Sequence, residues 1–444
     1  MRIRIVSLLV ILGAALATAP AHADPISGQG LTVTATNVID TRQTEYTVTT
    51  SALEKPVHIR VVMPTGYDPS SARRYPVLYL YHGTSGRPSD WINAGDALNS
   101  TAGRDVILVL PEAGYDGDGG GWFVNWWNKG AGGKPMWETF EVGQVIPWID
   151  ANFPTIPDRD HRAIAGLSQG GFGAMHAAAR HPDMFTSVAT FSGAPEIYRN
   201  PAVRAGADAI IEAVTVGLDN KPAFSVLGDP VTNGVHWQGH DPGTLVTNLA
   251  DMDIAMWVAD GVPGTRDIPA NEYSVSANLI EGGVSLSSHA FHQHLAQAKI
   301  PHFFKDYVFG THNFPYWAQD LREYLPGLMT RFAHPSTPGV VSYRSIEKTF
   351  SQWGWDVSVS RQKAEAMTEL KAAGQNGFQL RGANAAIVTT PAFYPPNTDR
   401  TVKVSSGGKT TTSIIKTDGD GRLTASIFLG NRGLVTTSIV SIIP

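Results

Sequence analysis

The 444-residue sequence contains no cysteine, which excludes disulfides, thiolate metal sites and a cysteine nucleophile together. It has no basic runs and its formal net charge is −5, so nucleic acid is not expected as a partner. After the first residues, no segment reaches the about 18 uncharged apolar residues that a membrane span requires. Charged residues make up only 16% of the chain, while tryptophan, glycine and proline are plentiful. This composition is typical of an extracellular, loop-rich enzyme or binding protein.

The amino terminus has the pattern of an export signal. Arg2 and Arg4 precede an apolar run over residues 5–17, and small residues follow up to Ala23. The apolar run is too short for a stable membrane span. We therefore predict a signal peptide over residues 1–23 and a mature protein that is soluble and either secreted or associated with the cell wall.

The length of the mature chain favours two domains, because it exceeds one ordinary hydrophobic core. Over residues 24–334, apolar and β-branched runs alternate with helical or loop segments. This alternation predicts a mainly parallel sheet covered by helices, with its functional site at the carboxyl edge of the strands. The predicted strands are Val57–Met63, Val77–Tyr81, Val106–Leu110, Ala163–Ala165, Ser187–Phe191, Ile254–Val258 and Phe303–Phe309.

The sequence changes character after His334. A linker rich in proline, serine and threonine is predicted over residues 335–340, and residues 341–444 contain short strands separated by glycine and asparagine turns. This spacing predicts a small β-sandwich. Alanine, methionine and leucine at helical spacing predict one helix, Gln362–Ala373. The predicted strands are Trp355–Ser360, Phe378–Arg381, Ala386–Thr389, Thr401–Val404, Thr412–Ile415, Leu423–Phe428 and Leu434–Ile439.

The motif G-x-S-x-G occurs at residues 166–170, with Ser168 at its centre. A short predicted strand precedes it and a strong helix former follows from Gly171, which is the strand-turn-helix context that the motif requires. The flanking glycines let strand and helix pass closely, and the helix amino terminus would lie beneath a developing oxyanion. We predict that Ser168 is a nucleophile; the alternative is a merely structural glycine turn.

A serine nucleophile needs a base. When the serine lies on a strand-turn-helix motif of this kind, the histidine comes after the serine in the sequence. His312, in the segment GTHNFPYW, comes directly after the last predicted strand and is the predicted base; the alternative is a capping or core histidine. Other histidines at positions 289, 292, 294 and 302 have no carboxylate at helical spacing, so no metal ion is expected. No other cofactor is expected either.

The residues alone leave the acid of the triad open. Asp260 lies just past a predicted strand, the usual place for a triad acid, and Asp267 and Glu272 follow on the same loop. For the oxyanion hole, the backbone amide of Gln169 is one predicted donor, because it directly follows the nucleophile. The second donor is expected from the loop after the strand LYLY.

Residues 27–332 resemble the antigen 85 mycolyltransferases and the wider esterase group that includes the S-formylglutathione hydrolases. The matching segments are YPVLYLYHG, WETFEVGQVIPWIDANFP, AIAGLSQGGFGAMHAAARHPDMFTSVATFSG, NLIEGGVSLSSHAFHQHL and GTHNFPYWAQDL. The resemblance implies an α/β-hydrolase fold. It implies that Glu281, 31 residues before His312, is the triad acid in preference to Asp260. It also implies that the amide of Thr84 is the second oxyanion donor.

The sequence departs from the mycolyltransferases where they bind trehalose. An aspartate and an arginine beside the oxyanion loop, and a tryptophan after the histidine, are replaced here by His82, Ser85 and Phe314. The resemblance therefore does not imply that this protein recognises trehalose. The pair His82 and Gly83 is more similar to the pair found in general esterases, where it shapes the oxyanion loop. Aromatic residues after the third strand could line an acyl groove, stack on sugar or only pack the core; these are Trp122, Phe123, Trp126, Trp127 and Trp137. We list His82, Trp126, Trp127 and Phe314 as candidate substrate-binding residues.

These features predict a secreted serine ester hydrolase or acyltransferase that acts on carboxylic esters, lipid esters included, through an acyl-enzyme. One alternative is mycolyltransferase-type transfer of the acyl group to a sugar or glycerol in the cell envelope. Another is a non-catalytic wall- or matrix-binding protein on a hydrolase scaffold. The carboxyl-terminal domain could bind a cell-wall polymer, but its sequence indicates no chemistry.

Overall fold

The computed structural model describes residues 26–267, 274–362, 365–430 and 435–443. Everything stated below about the structure concerns these residues. The predicted signal peptide over residues 1–23 and the candidate acid Glu272 lie outside them. No helix within the described ranges is both long enough and apolar enough to cross a membrane.

The first part of the chain forms a nine-stranded mixed sheet in the described residues. Its spatial order is β1-β2-β3-β5-β4-β6-β7-β8-β9; the pairs from β1 to β5 are antiparallel and those from β5 through β4 to β9 are parallel. The hairpin of β1 and β2 was not predicted. The strands are β1 Leu31–Val38, β2 Gln43–Thr50, β3 Val57–Val62, β4 Val77–Tyr81, β5 Ile107–Pro111, β6 Arg162–Leu167, β7 Ser187–Phe191, β8 Asp253–Val258 and β9 Phe303–Asp306.

Helices cover both faces of this sheet. Because of this cover, every residue of the central strands β4, β5, β6 and β7 is buried, which explains why β4 and β5 are apolar throughout. The α-helices are α1 Asp90–Asn93, α2 Ala97–Ser100, α3 Ile146–Asn152, α4 Gln169–Arg180, α5 Pro201–Glu212, α6 Gly234–His240, α7 Val275–Gln297 and α8 Phe314–Ala333. Shorter π- and 3₁₀-helical segments are Asn128–Gly130, Thr139–Val145, Arg159–His161, Ala213–Leu218 and Val246–Leu249.

The last part of the chain forms two antiparallel sheets around a separate apolar core. A six-stranded sheet has the order β10-β13-β14-β19-β16-β17, and a four-stranded sheet has the order β11-β12-β15-β18. The predicted sandwich is therefore present. Its strands are β10 Val341–Ser345, β11 Thr349–Gln352, β12 Trp355–Ser360, β13 Thr368–Gly374, β14 Gly377–Gly382, β15 Ala385–Thr389, β16 Asp399–Ser406, β17 Lys409–Lys416, β18 Thr424–Phe428 and β19 Thr436–Ile443.

The predicted helix Gln362–Ala373 is wrong. Its described residues include strand β13, which pairs with β10 on one side and β14 on the other. Leu370 is buried in the sandwich core while Lys371 is exposed, as the twofold repeat of a strand requires. Alanine, leucine and lysine are good helix formers, but this preference is worth less than about 1 kcal/mol per residue, and pairing with two neighbouring strands outweighs it.

Buried and partly buried hydrogen bonds join the sandwich to the part of the chain that contains the nine-stranded sheet. Asn248 donates to the carbonyls of Ala179 (2.8 Å) and Arg344 (3.0 Å), and its side-chain oxygen accepts the amide of Arg344 (2.8 Å). The hydroxyl of Tyr343 donates to the carbonyl of Arg180 at 2.7 Å. The carboxyl end of α4, the helix that follows Ser168, therefore contacts β10 directly.

Candidate active site

Ser168 lies in a sharp turn between β6 and α4. Its backbone has φ 52° and ψ −123°, a conformation that is strained for a residue with a β-carbon. Its amide donates to the carbonyl of Phe191 at the end of β7 (3.0 Å). Gly166 permits this turn, because a β-carbon there would lie 2.2 Å from the carbonyl oxygen of Gly170. The strained turn is the geometry that the G-x-S-x-G motif predicts for an exposed serine hydroxyl.

Glu281 lies inside helix α7. Its carboxylate is fully buried. Oε1 accepts hydrogen bonds from the hydroxyl of Ser192 (2.8 Å) and the amide of Ala259 (2.8 Å). Oε2 lies 2.7 Å from Nδ1 of His312. The carboxylate is thus anchored by the ends of β7 and β8 and bonded to the predicted base.

His312 precedes helix α8, and its side chain is only 8% exposed. The ring packs edge-on against Trp317, with 4.9 Å between ring centroids. With Nδ1 bonded to Glu281, the second nitrogen Nε2 is the one left to exchange a proton. Nε2 is buried and has no hydrogen-bond partner in the described part of the chain, so no direct bond joins it to Ser168. In enzymes without substrate, this bond is often long and forms only in the complex.

The strand ends connect Ser168 to the pair of Glu281 and His312. The amide of Ser168 bonds to Phe191, and the next residue, Ser192, bonds to Glu281. The amide of Ser192 in turn donates to the carbonyl of Trp257 in β8 (2.9 Å). The serine, the acid and the histidine therefore gather at the carboxyl edge of neighbouring parallel strands, where sites of this fold class form.

The two predicted oxyanion donors belong to segments that lie against each other. Gln169 provides the first amide of α4, which has no acceptor within its own helix. Its side-chain nitrogen donates to the hydroxyl of Thr84 (3.2 Å) and the carbonyl of Gly119 (3.1 Å). A β-carbon on Gly83 would lie 3.2 Å from Cβ of Ser168, so the loop after β4 approaches the serine closely. The side chain of Gln169 braces this loop, a role that sequence reasoning missed.

His82 is buried, with both ring nitrogens bonded to the backbone. Nδ1 donates to the carbonyl of Gly83 (2.8 Å), and Nε2 accepts the amide of Ala113 (2.9 Å). Burial lowers the pKa of His82, which favours this neutral form. Neither nitrogen is free for a substrate, so we propose that His82 shapes the oxyanion loop.

The candidate substrate-binding aromatics lie in different surroundings. Trp126 is buried and its indole nitrogen donates to the carbonyl of Gly121 (3.0 Å). Trp127 is partly exposed and packs on His236, with 4.4 Å between ring centroids. Phe314 is partly exposed and contacts Trp317, the residue that packs on His312. Substrate contacts by these residues stay a prediction, and Phe314 has the position nearest to the base.

The other acids of the loop after β8 do not contact His312 in the described structure. Asp260 is exposed and accepts the amide of Val262 (2.8 Å). Asp267 is fully buried and bonds to the residues on either side of His312. The geometry therefore favours Glu281 as the acid. Sequence reasoning missed the partner of Glu281, Ser192, although the segment ATFSG at the end of β7 contains it.

One buried group has the residue types of a metal site. Ligand atoms of Glu138, His176 and His240 lie within 4.8 Å of one another. The carboxylate of Glu138 is already bonded to Arg180 (2.7 Å) and His181 (2.9 Å), and Nε2 of His176 lies 2.9 Å from Nδ1 of His240. Burial lowers the pKa of His176 to about 3, so the ring is neutral. Arg180 and His181 both bond to Oε1 of Glu138, whereas Oε2 of Glu138 and Nδ1 of His176 have no hydrogen-bond partner within the described residues.

The first part of the chain is similar to several known proteins. A family model described as "Putative esterase" matches residues 50–328. Esterase Rv1288 of Mycobacterium tuberculosis (strain H37Rv) is 32% identical over 279 residues, which cover 62% of this chain and 57% of that protein. The chain therefore spans little more than half the length of that curated relative.

Two further comparisons concern an acyltransferase and a solved structure. Diacylglycerol acyltransferase/mycolyltransferase Ag85A of Mycobacterium gordonae is 26% identical over 280 residues, covering 61% of this chain and 76% of that protein. The structure of an S-formylglutathione hydrolase from Agrobacterium tumefaciens matches with a TM-score of 0.50 and 16% identity, covering 68% of this chain and 99% of that one. This structural likeness confirms the predicted α/β-hydrolase fold.

Proposed function

Because the chain belongs to the esterase family whose model matches residues 50–328, we propose that it is a serine ester hydrolase or acyltransferase. The observation that carries the proposal is the hydrogen bond between buried Glu281 and His312 (2.7 Å), at the same sheet edge as the strained turn of Ser168. A histidine oriented by a buried carboxylate, beside a serine on a sharp turn, is the arrangement that activates a serine hydroxyl.

In the first half of the reaction, Oγ of Ser168 attacks the ester carbonyl and its proton passes to Nε2 of His312. Glu281 stabilises the imidazolium that forms, because its carboxylate is buried and faces Nδ1. The amides of Gln169 and Thr84 bind the oxyanion, and each such donor lowers the barrier by about 3 kcal/mol. When the tetrahedral intermediate collapses, His312 gives the proton to the leaving alcohol and an acyl-serine remains.

In the second half, water or an alcohol attacks the acyl-serine, with His312 now acting as the base. The second tetrahedral intermediate then collapses, the bond to Oγ of Ser168 breaks, and His312 returns the proton to that oxygen. Water as acceptor gives ester hydrolysis, and a sugar or glycerol hydroxyl gives acyl transfer. Since the same acyl-enzyme serves both, the acceptor is decided by an acyl-donor screen from acetyl to long-chain esters, run with and without trehalose or glycerol. Transfer products that outnumber the free acid would identify an acyltransferase.

The proposed setting is outside the cytoplasm. The pattern of residues 1–23 supports export, and an ester or lipid of the cell envelope is then the expected substrate. The sandwich over residues 341–444 is the proposed contact with a cell-wall polymer. Binding of the intact protein to purified wall material, with and without a soluble wall polysaccharide as competitor, tests that contact.

The central test replaces the nucleophile. Ser168→Ala removes the attacking oxygen and leaves the surrounding hydrogen bonds of the backbone in place, so turnover of a nitrophenyl ester should fall by about 10⁴-fold or more. Circular dichroism and the melting temperature should show an intact fold. Activity that survives this change at the wild-type rate would show that the mechanism is wrong.

Labelling with a fluorophosphonate separates an enzyme from a non-catalytic binding protein on the same scaffold. Only an activated serine reacts quickly, so the wild type should be labelled within minutes and the Ser168→Ala variant should not be labelled. A wild-type protein that stays unlabelled and inactive towards all esters in the screen would favour the binding protein.

A further inference from the structure

We propose that Asp267 is a positioning residue that holds His312 in place by clamping the residues on both sides of it. The inference rests on the proposed function, because it concerns the same histidine. Two segments are involved: the histidine loop, residues 307–313 between β9 and α8, and the aspartate loop, residues 259–267 after β8.

One carboxylate oxygen of Asp267 bonds to both neighbours of His312. Oδ1 accepts the hydroxyl of Thr311 (2.5 Å) and the side-chain amide of Asn313 (2.6 Å). The same amide nitrogen of Asn313 also lies 2.9 Å from the hydroxyl of Thr311. All three side chains are buried, with Asp267 and Thr311 fully enclosed. The side chains on both sides of the histidine are therefore bonded to a single buried oxygen atom.

The second oxygen of Asp267 bonds to the surrounding framework. Oδ2 accepts the amide of Gly264 (2.6 Å) and the hydroxyl of Tyr316 (2.9 Å) in helix α8. Burial alone would raise the pKa of Asp267, but hydrogen bonds from Thr311, Gly264, Tyr316 and Asn313 hold it below its ordinary value. The carboxylate thus ties the histidine loop to its own loop and to the following helix.

Backbone hydrogen bonds join the two loops along their length. The amide of Tyr307 donates to Val258 (2.9 Å), that of Gly261 to Gly310 (2.9 Å), and that of Gly310 to Val262 (2.7 Å). Through these bonds, the aspartate loop fixes the position of the histidine loop relative to strand β8.

Glu281 and Asp267 have separate tasks in this arrangement. Glu281 contacts the imidazole ring at Nδ1 and sets its orientation, whereas Asp267 contacts only the neighbouring residues and sets where the ring is held. A displacement of about 1 Å in a reacting group can lower a rate by about 100-fold. Loss of the clamp should therefore slow the chemical step without removing any group that touches the substrate.

The test replaces Asp267 by asparagine, which keeps the shape of the side chain. Four donors converge on the carboxylate, and an amide nitrogen cannot accept from the two that face it, so the clamp is weakened. For Asp267→Asn we expect kcat for a nitrophenyl ester to fall by about 10- to 100-fold with KM within about twofold of wild type. Inactivation by a fluorophosphonate should slow by a similar factor. The control is Asp260→Asn, an exposed aspartate on the same loop, which should leave both rates unchanged.

A second variant keeps the test decisive if Asp267→Asn does not fold. Thr311→Val removes one donor to the carboxylate and preserves the side-chain shape, so kcat should fall by about threefold to tenfold. Where both single variants fold, the double variant should lose little more than Asp267→Asn alone, because the two residues act through one contact.

The outcomes separate this inference from the proposed function. A kcat and an inactivation rate of Asp267→Asn within about twofold of wild type would overturn the positioning role while the serine mechanism stands. If Asp267→Asn does not fold, unchanged rates for Thr311→Val overturn it in the same way. A wild-type protein with neither esterase activity nor labelling would overturn the proposed function itself.

Discussion

At the scale of single residues, the environment of Glu281 defines what a substitution there should do. Its two oxygens have different partners: one accepts Ser192 and Ala259, and the other faces His312. A neutral amide of the same shape would present an N–H group to at least one of these donors and would remove the charge opposite the imidazolium.

We therefore expect Glu281→Gln to lower kcat/KM by about 10²- to 10⁴-fold, in the range known for triad acids. Asp260→Asn should change it by less than about twofold, because that carboxylate is exposed and bonds only to the nearby amide of Val262. Steady-state kinetics with a nitrophenyl ester measure both. The reverse order of the two effects would reassign the acid to Asp260.

The residues differ in how far the sequence could predict them. The signals for Ser168 are local, since the motif, the strand before it and the helix after it are contiguous. Glu281 could be chosen over Asp260 only through the resemblance, because its burial in a helix against β7 and β8 is a long-range property. Ser192 and the side chain of Gln169 were missed because hydrogen bonds between distant segments leave no spacing pattern. Their catalytic roles stay predictions.

At the scale of elements, the turn after β4 and the turn after β6 lie against each other. A β-carbon on Gly83 would lie 2.7 Å from a side-chain carbon of Leu167 as well as 3.2 Å from Cβ of Ser168. The end of the Leu167 side chain would have to move, and the turn of Ser168 or the turn of Gly83 would have to shift by a few tenths of an ångström to admit a β-carbon.

Gly83→Ala should therefore displace the amide of Thr84 from the oxyanion position and lower kcat by about 10- to 10³-fold, as the loss of an oxyanion donor does. Steady-state kinetics and the melting temperature are the measurements. Gly206→Ala is the matched control, because its added methyl group meets nothing within 4 Å. Wild-type kcat in Gly83→Ala would contradict the close approach of the two turns.

The elements themselves were predictable where burial is complete on both faces. The predicted strands Val77–Tyr81 and Ser187–Phe191 coincide with β4 and β7, because a parallel strand that is covered on both faces is mostly apolar and carries no charged residue in either case. The segment 362–373 was misjudged because its alanines and leucine favour a helix locally, whereas β10 and β14 pair with it as a strand. Partners that are distant in sequence decided the outcome there.

At the scale of the whole molecule, Asn248 links the helix of the nucleophile to the sandwich. It is 5% exposed and bonds to Ala179 at the end of α4 and to both backbone groups of Arg344 in β10. The domain boundary at 335–340 stays a prediction, but these bonds show that the two parts are in contact across it.

Asn248→Ala would leave one buried and two partly buried backbone groups without this partner, so we expect a loss of about 1 to 3 kcal/mol in the free energy of unfolding. Urea unfolding followed by tryptophan fluorescence measures it. Asn37→Ala, at an exposed position of β1, is the control and should change this free energy by less than about 0.5 kcal/mol. Equal stability of both variants would show that the junction contributes nothing.

Strand β9 is an edge strand of the large sheet. It is four residues long, pairs with β8 alone in the described structure, and is followed by the histidine loop. Such short border strands fray at lower denaturant or temperature than the centre of a sheet. Mild warming or dilute urea should therefore abolish turnover while the circular dichroism spectrum still shows a native core. Turnover would then report this local unfolding at a lower temperature or urea concentration than the spectrum does.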